Sequence, residues 1–171
     1  DAAKEGIDQN FTKYMPVPGY LDLRQAISKK FKRDNNLDYS VDQIVVSTGA
    51  KQSITNVVLC LINEGDEVLL PAPYWVTYAE IVKLAGGIPV FVDAGIDVDF
   101  KITAEQLQAK TTRNTKLMIY SSPCNPTGTV YTKNELRGIA NYFAENKGVN
   151  VIADEIYEHI TFEGKHERLA Q

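Results

Sequence analysis

The apolar run Val149-Asn150-Val151-Ile152-Ala153 ends in two carboxylates, Asp154 and Glu155. An acid at the tip of a buried strand must reach water, cap a following turn or face a cation. Left buried and unpaired, it costs several kcal/mol or takes up a proton. Tyr157 follows three residues later and falls on the same side if the chain turns helically there. Upstream, "SSPCNPTG" (121–128) brackets Asn125 between Pro123 and Pro126, with Gly128 after them. X-Pro bonds are where cis peptides occur, so such a loop can hold the Asn125 amide in one orientation. A plain turn favours the same residues. "PAPYWVTY" (71–78) carries the only tryptophan, Trp75, which suits either a flat platform for a ligand or a packed core. "STGAKQS" (47–53) leads through Gly49 into a helix whose first residues are Ala50 and Lys51. Free N–H groups at a helix start favour a phosphate; a short turn with a convenient glycine is the plainer reading. The stretch matches neither GxGxxG nor GxxxxGK[ST].

The elements that position these residues follow from hydrophobic periodicity. Residues 20–33 form an amphipathic helix with Leu23, Ile27 and Phe31 on one face. "QIVVS" (43–47) is a short buried strand. Ile54, Val57, Val58, Leu61, Cys60 and Ile62 lie on a helix that ends by Gly65. "DEVLL" (66–70), "IPVFV" (88–92), "KLMIY" (116–120) and "VNVIAD" (149–154) are four more strands. Helices lie between them, over 78–85, around Leu107 and from Leu136 to Phe143. Thr103 with Gln106 and Thr132 with Glu135 have the spacing of capping boxes. Strands that are apolar on both faces, alternating with helices, make an α/β fold: three layers, α/β/α, around a mainly parallel sheet. In such sheets ligands sit beyond the carboxyl ends of the strands, which is where Gly49, Trp75, Asn125 and Asp154 fall.

Composition narrows the partners. With 171 residues, 44% hydrophobic and 23% charged, the chain has the profile of a globular domain. A net charge of −4 gives no reason to expect nucleic acid or an anionic membrane. No apolar run is long enough to span a bilayer and no signal peptide opens the chain. The two cysteines, Cys60 and Cys124, lack zinc-ligand spacing, so no metal is expected and a reducing cytoplasm is the simplest home. The sequence begins "DAAKEG" without Met and stops at "HERLAQ", as a piece of a longer protein would.

Taken in order and spacing, "KYMPVPGYLDLRQAI", "STGAKQ", "PAPYWVTY", "SSPCNPTG" and "VIADEIYEH" resemble the pyridoxal-phosphate aminotransferases of fold type I, the bacterial aspartate aminotransferase subgroup most of all. The likeness runs from about Phe11 to Phe162. It implies that Asp154 pairs with the pyridine nitrogen of the cofactor, keeping that nitrogen protonated because an opposite charge favours the charged form. It implies that Trp75 stacks on the ring and that Asn125 and Tyr157 reach the ring's 3′-oxygen, Asn125 also approaching the substrate α-carboxylate. Gly49, Ala50 and Lys51 would cradle the phosphate, Lys51 would also read a distal substrate carboxylate, and Tyr14 would cross a homodimer interface to the neighbouring phosphate. Ala72-Pro73 and Asn125-Pro126 would be cis.

The resemblance also marks what residues 1–171 leave out. The lysine that binds the cofactor lies in a later "SK" motif and the arginine for the substrate α-carboxylate in a smaller domain. The chain is therefore expected to be a partial, truncated large domain. The longer parent would transaminate between an amino acid, aspartate first, and a 2-oxo acid such as 2-oxoglutarate; this piece alone would not. Of the seven family strands, the second to fifth here could pair without a gap. "QIVVS" would lose its neighbour, leaving edges and an apolar face open to association. Three other functions stay open: a pyridoxal-phosphate lyase or a transaminase of other specificity, a nonenzymatic folding or dimerisation fragment, and a dinucleotide-binding dehydrogenase, the last without its glycine fingerprint.

Overall fold

The sheet is built from four short apolar runs, each followed or preceded by a helix that covers one of its faces. The structure, a computed structural model, describes residues 1–170. The chain divides into two units, Asp1–Ser47 and Thr48 onward.

In the first unit, α1 spans Ala2–Asp8 and α2 spans Leu21–Asn35. Asn36 closes α2 in the left-handed region, at φ 53°, a conformation asparagine tolerates better than most residues. The Arg24 guanidinium donates to the carbonyls of Gly19 and Val41, at 3.3 and 2.8 Å, tying the helix to the segment after it. The expected stripe on α2 is not a core: Leu23 is exposed and Ile27 and Phe31 are half-buried. "QIVVS" is not a strand either. A single 3₁₀ turn covers Val41–Gln43, and Ile44 is extended at φ −117°, ψ 125°. Yet among the described residues the segment joins no sheet; Val46 N–H donates to Pro18 O at 3.0 Å. An extended segment becomes a strand only when a neighbour accepts its ladder, and none pairs with it.

The second unit runs α3 (Ala50–Leu61), β1 (Glu67–Ala72), α4 (Thr77–Leu84), β2 (Ile88–Asp93), α5 (Ala104–Lys110), β3 (Thr115–Ser121), α6 (Lys133–Glu145), β4 (Asn150–Asp154). The strands are all parallel, in the order β2-β1-β3-β4. Period-two alternation sorts their side chains. Val68 and Leu70 of β1 and Leu117 and Ile119 of β3 meet Ile54 and Val58 of α3 and Tyr78, Ile81 and Val82 of α4. Leu69 and Met118, one residue out of phase, meet Leu107 of α5 and Leu136 and Ile139 of α6 on the opposite face. Two apolar layers thus sandwich the sheet. Each fully buried aliphatic contributes on the order of 1.5–3 kcal/mol over its exposed state. Both expected capping boxes are present, Thr103 with Gln106 and Thr132 with Glu135. The α3 stripe is narrower than its periodicity predicts. Ile54, Val58 and Ile62 are buried, whereas Val57, Leu61 and Cys60 are exposed.

Candidate functional site

The carboxyl ends of β3 and β4 are adjacent in the sheet, and Ser121 pairs with Asp154 in register. The loop after β3 therefore starts beside the acid that ends β4, and Ser122 N–H donates to the Asp154 carbonyl at 3.2 Å. Between these ends, the loop after β1 and the start of α3 lies a cavity of about 200 Å³. Trp75, Asn125, Asp154, Tyr157 and Ala50, all candidates from sequence, line it together with Tyr78, Ser121 and Ile156.

Asp154 is half-buried and both of its oxygens are held. Oδ2 accepts the Tyr78 hydroxyl at 2.7 Å. Oδ1 accepts the Ile156 N–H at 3.2 Å, a local turn of the kind aspartate favours. The acid thus does cap the turn after β4, and it also meets a donor 76 residues away in sequence. Burial, and then the hydrogen bond to Asp154, push the Tyr78 phenol well above the ordinary tyrosine range. Tyr78 was not a candidate from sequence. It lies within the "PAPYWVTY" motif, and the usable signal was a phenol on the buried face of α4, since a buried tyrosine hydroxyl nearly always has a partner.

Trp75 precedes α4 and stands edge-on to Tyr78, with ring centroids 5.5 Å apart and planes at 88°. Lys51 Nζ lies 5.0 Å from the Trp75 ring centroid, a cation–π contact. Lys51 belongs to the first turn of α3, whose N-cap Gly49 sits at φ 91°, ψ 162° and offers no side-chain cap. That conformation is essentially restricted to glycine. Asn125 lies in a loop with cis bonds at Ser122-Pro123 and Asn125-Pro126; Ala72-Pro73 before Trp75 is also cis. The first of these three was not among the expected ones. Cys124 is half-buried, its Sγ 3.7 Å from the Pro73 carbonyl. Tyr14 belongs to the first unit and is fully exposed.

Tyr157 occupies a turn after β4 in which Glu158 N–H donates to Glu155 O at 2.9 Å and Ile160 N–H to Tyr157 O at 2.8 Å. An ion cluster that sequence reasoning missed backs this turn. Arg168 contacts Glu155 at 3.3 Å and Glu158 at 2.8 Å, and His166 lies 3.3 Å from Glu155. Glu155, Glu158 and His166 bring ligand atoms within 4.8 Å of one another, the spacing of a metal site. The Arg168 guanidinium already supplies the cation there, so the arrangement is an internal salt bridge.

The Aminotransferase class I and II family profile matches residues 1–170. A Rickettsia bellii protein described as "Probable aspartate/prephenate aminotransferase" is 49% identical over 164 residues, which are 96% of this chain and 41% of that one. The solved aspartate aminotransferase from Thermus thermophilus with maleate superposes at a TM-score of 0.94 with 37% identity, over 99% of this chain and 45% of that one. An aromatic aminotransferase from Pyrococcus horikoshii gives 0.94 and 39%, over 98% and 45%. The chain spans less than half the length of each of these relatives. A profile covering all but the last residue, and a four-stranded sheet that superposes on theirs, leave one assignment: this chain belongs to the class I and II aminotransferases.

Proposed function

We propose that these residues are the ring-binding half of a pyridoxal-phosphate-dependent aminotransferase. The complete protein would move the amino group between an L-amino acid, aspartate foremost, and a 2-oxo acid such as 2-oxoglutarate, and would act as a homodimer. The observation that carries this is the convergence of Asp154, Trp75, Asn125 and Tyr157 on one small cavity beside the start of α3. The donor set fits the cofactor group by group. Asp154 offers an anion for a ring N–H, Trp75 a flat aromatic face, and Asn125 and Tyr157 donors for a ring oxygen. Gly49, Ala50 and Lys51 open a helix with no side-chain cap, suited to a phosphate. The cavity of about 200 Å³ suits one substituted ring rather than a dinucleotide.

Pyridoxal phosphate supplies an aldehyde that condenses with amines and a protonated ring that withdraws electrons. In this reading the chain's own residues do the rest. Asp154 holds a proton on the ring nitrogen, since both charges together tolerate a site neither would tolerate alone. Trp75 fixes the ring plane. Asn125 and Tyr157 orient the ring oxygen, and Asn125 also meets the substrate α-carboxylate. Tyr14 serves the phosphate of the partner subunit.

Lys51 is the residue that favours a dicarboxylic substrate. It is exposed at the mouth of the site with its ammonium over Trp75, and maleate, in the Thermus relative, is a dicarboxylate. The aromatic aminotransferase among the structural neighbours keeps a transaminase of other specificity, or a lyase, as the second reading. Among the described residues no helix is long and apolar enough to cross a membrane, and both cysteines are free, which agrees with a reducing cytoplasm.

The test adds pyridoxal phosphate to residues 1–171 and to the complete protein and records the visible spectrum, then assays amino transfer from aspartate to 2-oxoglutarate. The band of lysine-bound cofactor should appear only in the complete protein, with turnover. No band there would overturn the cofactor reading. A band without aspartate turnover would favour the second reading. Band and turnover in residues 1–171 would refute the view that the essential lysine lies elsewhere.

A further inference from the structure

We propose that Tyr78 is a positioning residue of this site: its hydroxyl aims the Asp154 carboxylate at the ring nitrogen. The inference rests on the pyridoxal-phosphate reading above and adds to it a residue on a different element from the acid it serves.

Three observations converge. Tyr78 is 1% exposed, and its hydroxyl donates to Asp154 Oδ2 at 2.7 Å. Oδ1 is held independently by the Ile156 N–H at 3.2 Å. Two donors, one from α4 and one from the turn after β4, pin the two oxygens, so the carboxylate cannot rotate without breaking a bond. A carboxylate offers about four lone-pair positions, so a third donor such as a ring N–H still has a place. The Tyr78 ring is itself fixed, edge-on to Trp75 at 5.5 Å. The residue that would carry the cofactor ring and the residue that would aim its counter-ion are thus adjacent turns of one short segment.

The direction of the effect follows from the chemistry. A carboxylate held by two donors presents its remaining lone pairs in a fixed direction, so a ring N–H would meet an acceptor already aimed at it. Burial and the neighbouring anion push the phenol's own ionisation upward, so the donor is present throughout the neutral range. The other groups bearing on the phenol are the Ser121 hydroxyl, which acts in the opposite sense, and the Cys124 thiol.

The experiment uses the complete protein with Tyr78→Phe, which keeps the ring and removes only the hydroxyl. Affinity is measured for pyridoxal phosphate and for its analogue with the ring nitrogen replaced by C–H, together with the pH dependence of the bound cofactor's visible spectrum. Tyr78→Phe should weaken pyridoxal phosphate about tenfold, as loss of one charge-assisted hydrogen bond implies, and should shift the spectral pH profile. It should leave the analogue within about twofold. Equal loss for both ligands means a packing role only and overturns the proposal, as does no loss for either. A wild-type protein that binds neither ligand refutes the underlying cofactor reading instead. If Tyr78→Phe does not fold, 3-fluorotyrosine at position 78 keeps the shape and makes the hydroxyl a stronger donor. The ratio of the two affinities should then change; an unchanged ratio refutes the proposal.

Discussion

Replacing Arg168 by Met should loosen the turn that carries Tyr157. Arg168 is 7% exposed at its side chain and spans two acids, with Nη2 2.8 Å from Glu158 and Nε 3.3 Å from Glu155. Removing the cation takes from two partly buried carboxylates the guanidinium they share. Breaking a buried pair this way costs about 3–5 kcal/mol. Glu155 is 24% exposed, so water recovers part of that, and the low end, about 3 kcal/mol, is expected. Methionine keeps most of the apolar stem, which isolates the charge from the packing. Arg168→Lys keeps the charge without the fork and should fall between, at about 1–2 kcal/mol. The assay is denaturant unfolding of the complete protein, with cofactor affinity as a second readout because Tyr157 lies between the two acids in sequence. Adding Glu158→Gln to Arg168→Met should return part of the loss, since only one of the two anions that the guanidinium served then remains. A loss under about 1 kcal/mol, or a double variant no better than the single, would refute the view of this cluster as a clamp.

Alkaline conditions should unfold the protein through its buried tyrosines. Burial raises the phenols of Tyr78, Tyr120 and Tyr131, the last to about 12. Each raised group stabilises the fold fully below its unfolded value near 10 and loses that contribution as pH climbs toward the folded value. Stability should therefore drop above pH 10 by about 1.4 kcal/mol per pH unit per tyrosine; urea unfolding at pH 9 and 11 checks it, and Tyr131→Phe should flatten the slope by one such share. Thr132→Ala removes one arm of the α6 capping box, in which Thr132 N–H donates to Glu135 Oε2 at 2.6 Å and Glu135 N–H donates back to Thr132 Oγ1 at 3.4 Å. About 1 kcal/mol should be lost in thermal or denaturant unfolding. Gly49→Ala has room for its methyl, with no atom within 4 Å, but φ is +91°. The cost should be the backbone strain alone, about 1–3 kcal/mol, with weaker cofactor retention read by dialysis.

What could be read from the sequence was local. The capping boxes at Thr103 and Thr132 and the four paired strands follow from spacing within a few residues, and they stand where that spacing put them. The failures are all about partners. "QIVVS" has strand composition but no neighbour to pair with. Leu23 has helical periodicity but no surface to cover it. Val57 and Leu61 share a stripe with Val58 yet face outward, because periodicity sets a direction and not what lies there. The gathering of most of the candidate residues at one cavity was legible for the same reason in reverse. Its residues sit in short motifs at strand ends, and a parallel sheet gathers such ends. Tyr78 and Arg168 escaped notice because their chemistry exists only after folding, when β4 brings Asp154 to one and Glu155 and Glu158 to the other.

On the proposed function, the pairing of Ser121 with Asp154 would make cofactor uptake a proofreader of assembly. If β4 slid by one residue along β3, side chains that point to one layer would point to the other, and Asp154 would turn its back on Tyr78 and Trp75. A molecule folded in that wrong alignment would keep much of its helix content and still be unable to grip the ring. Retention of the ligand would therefore sort correctly zipped chains from miszipped ones, which bulk spectroscopy of secondary structure would count as equal.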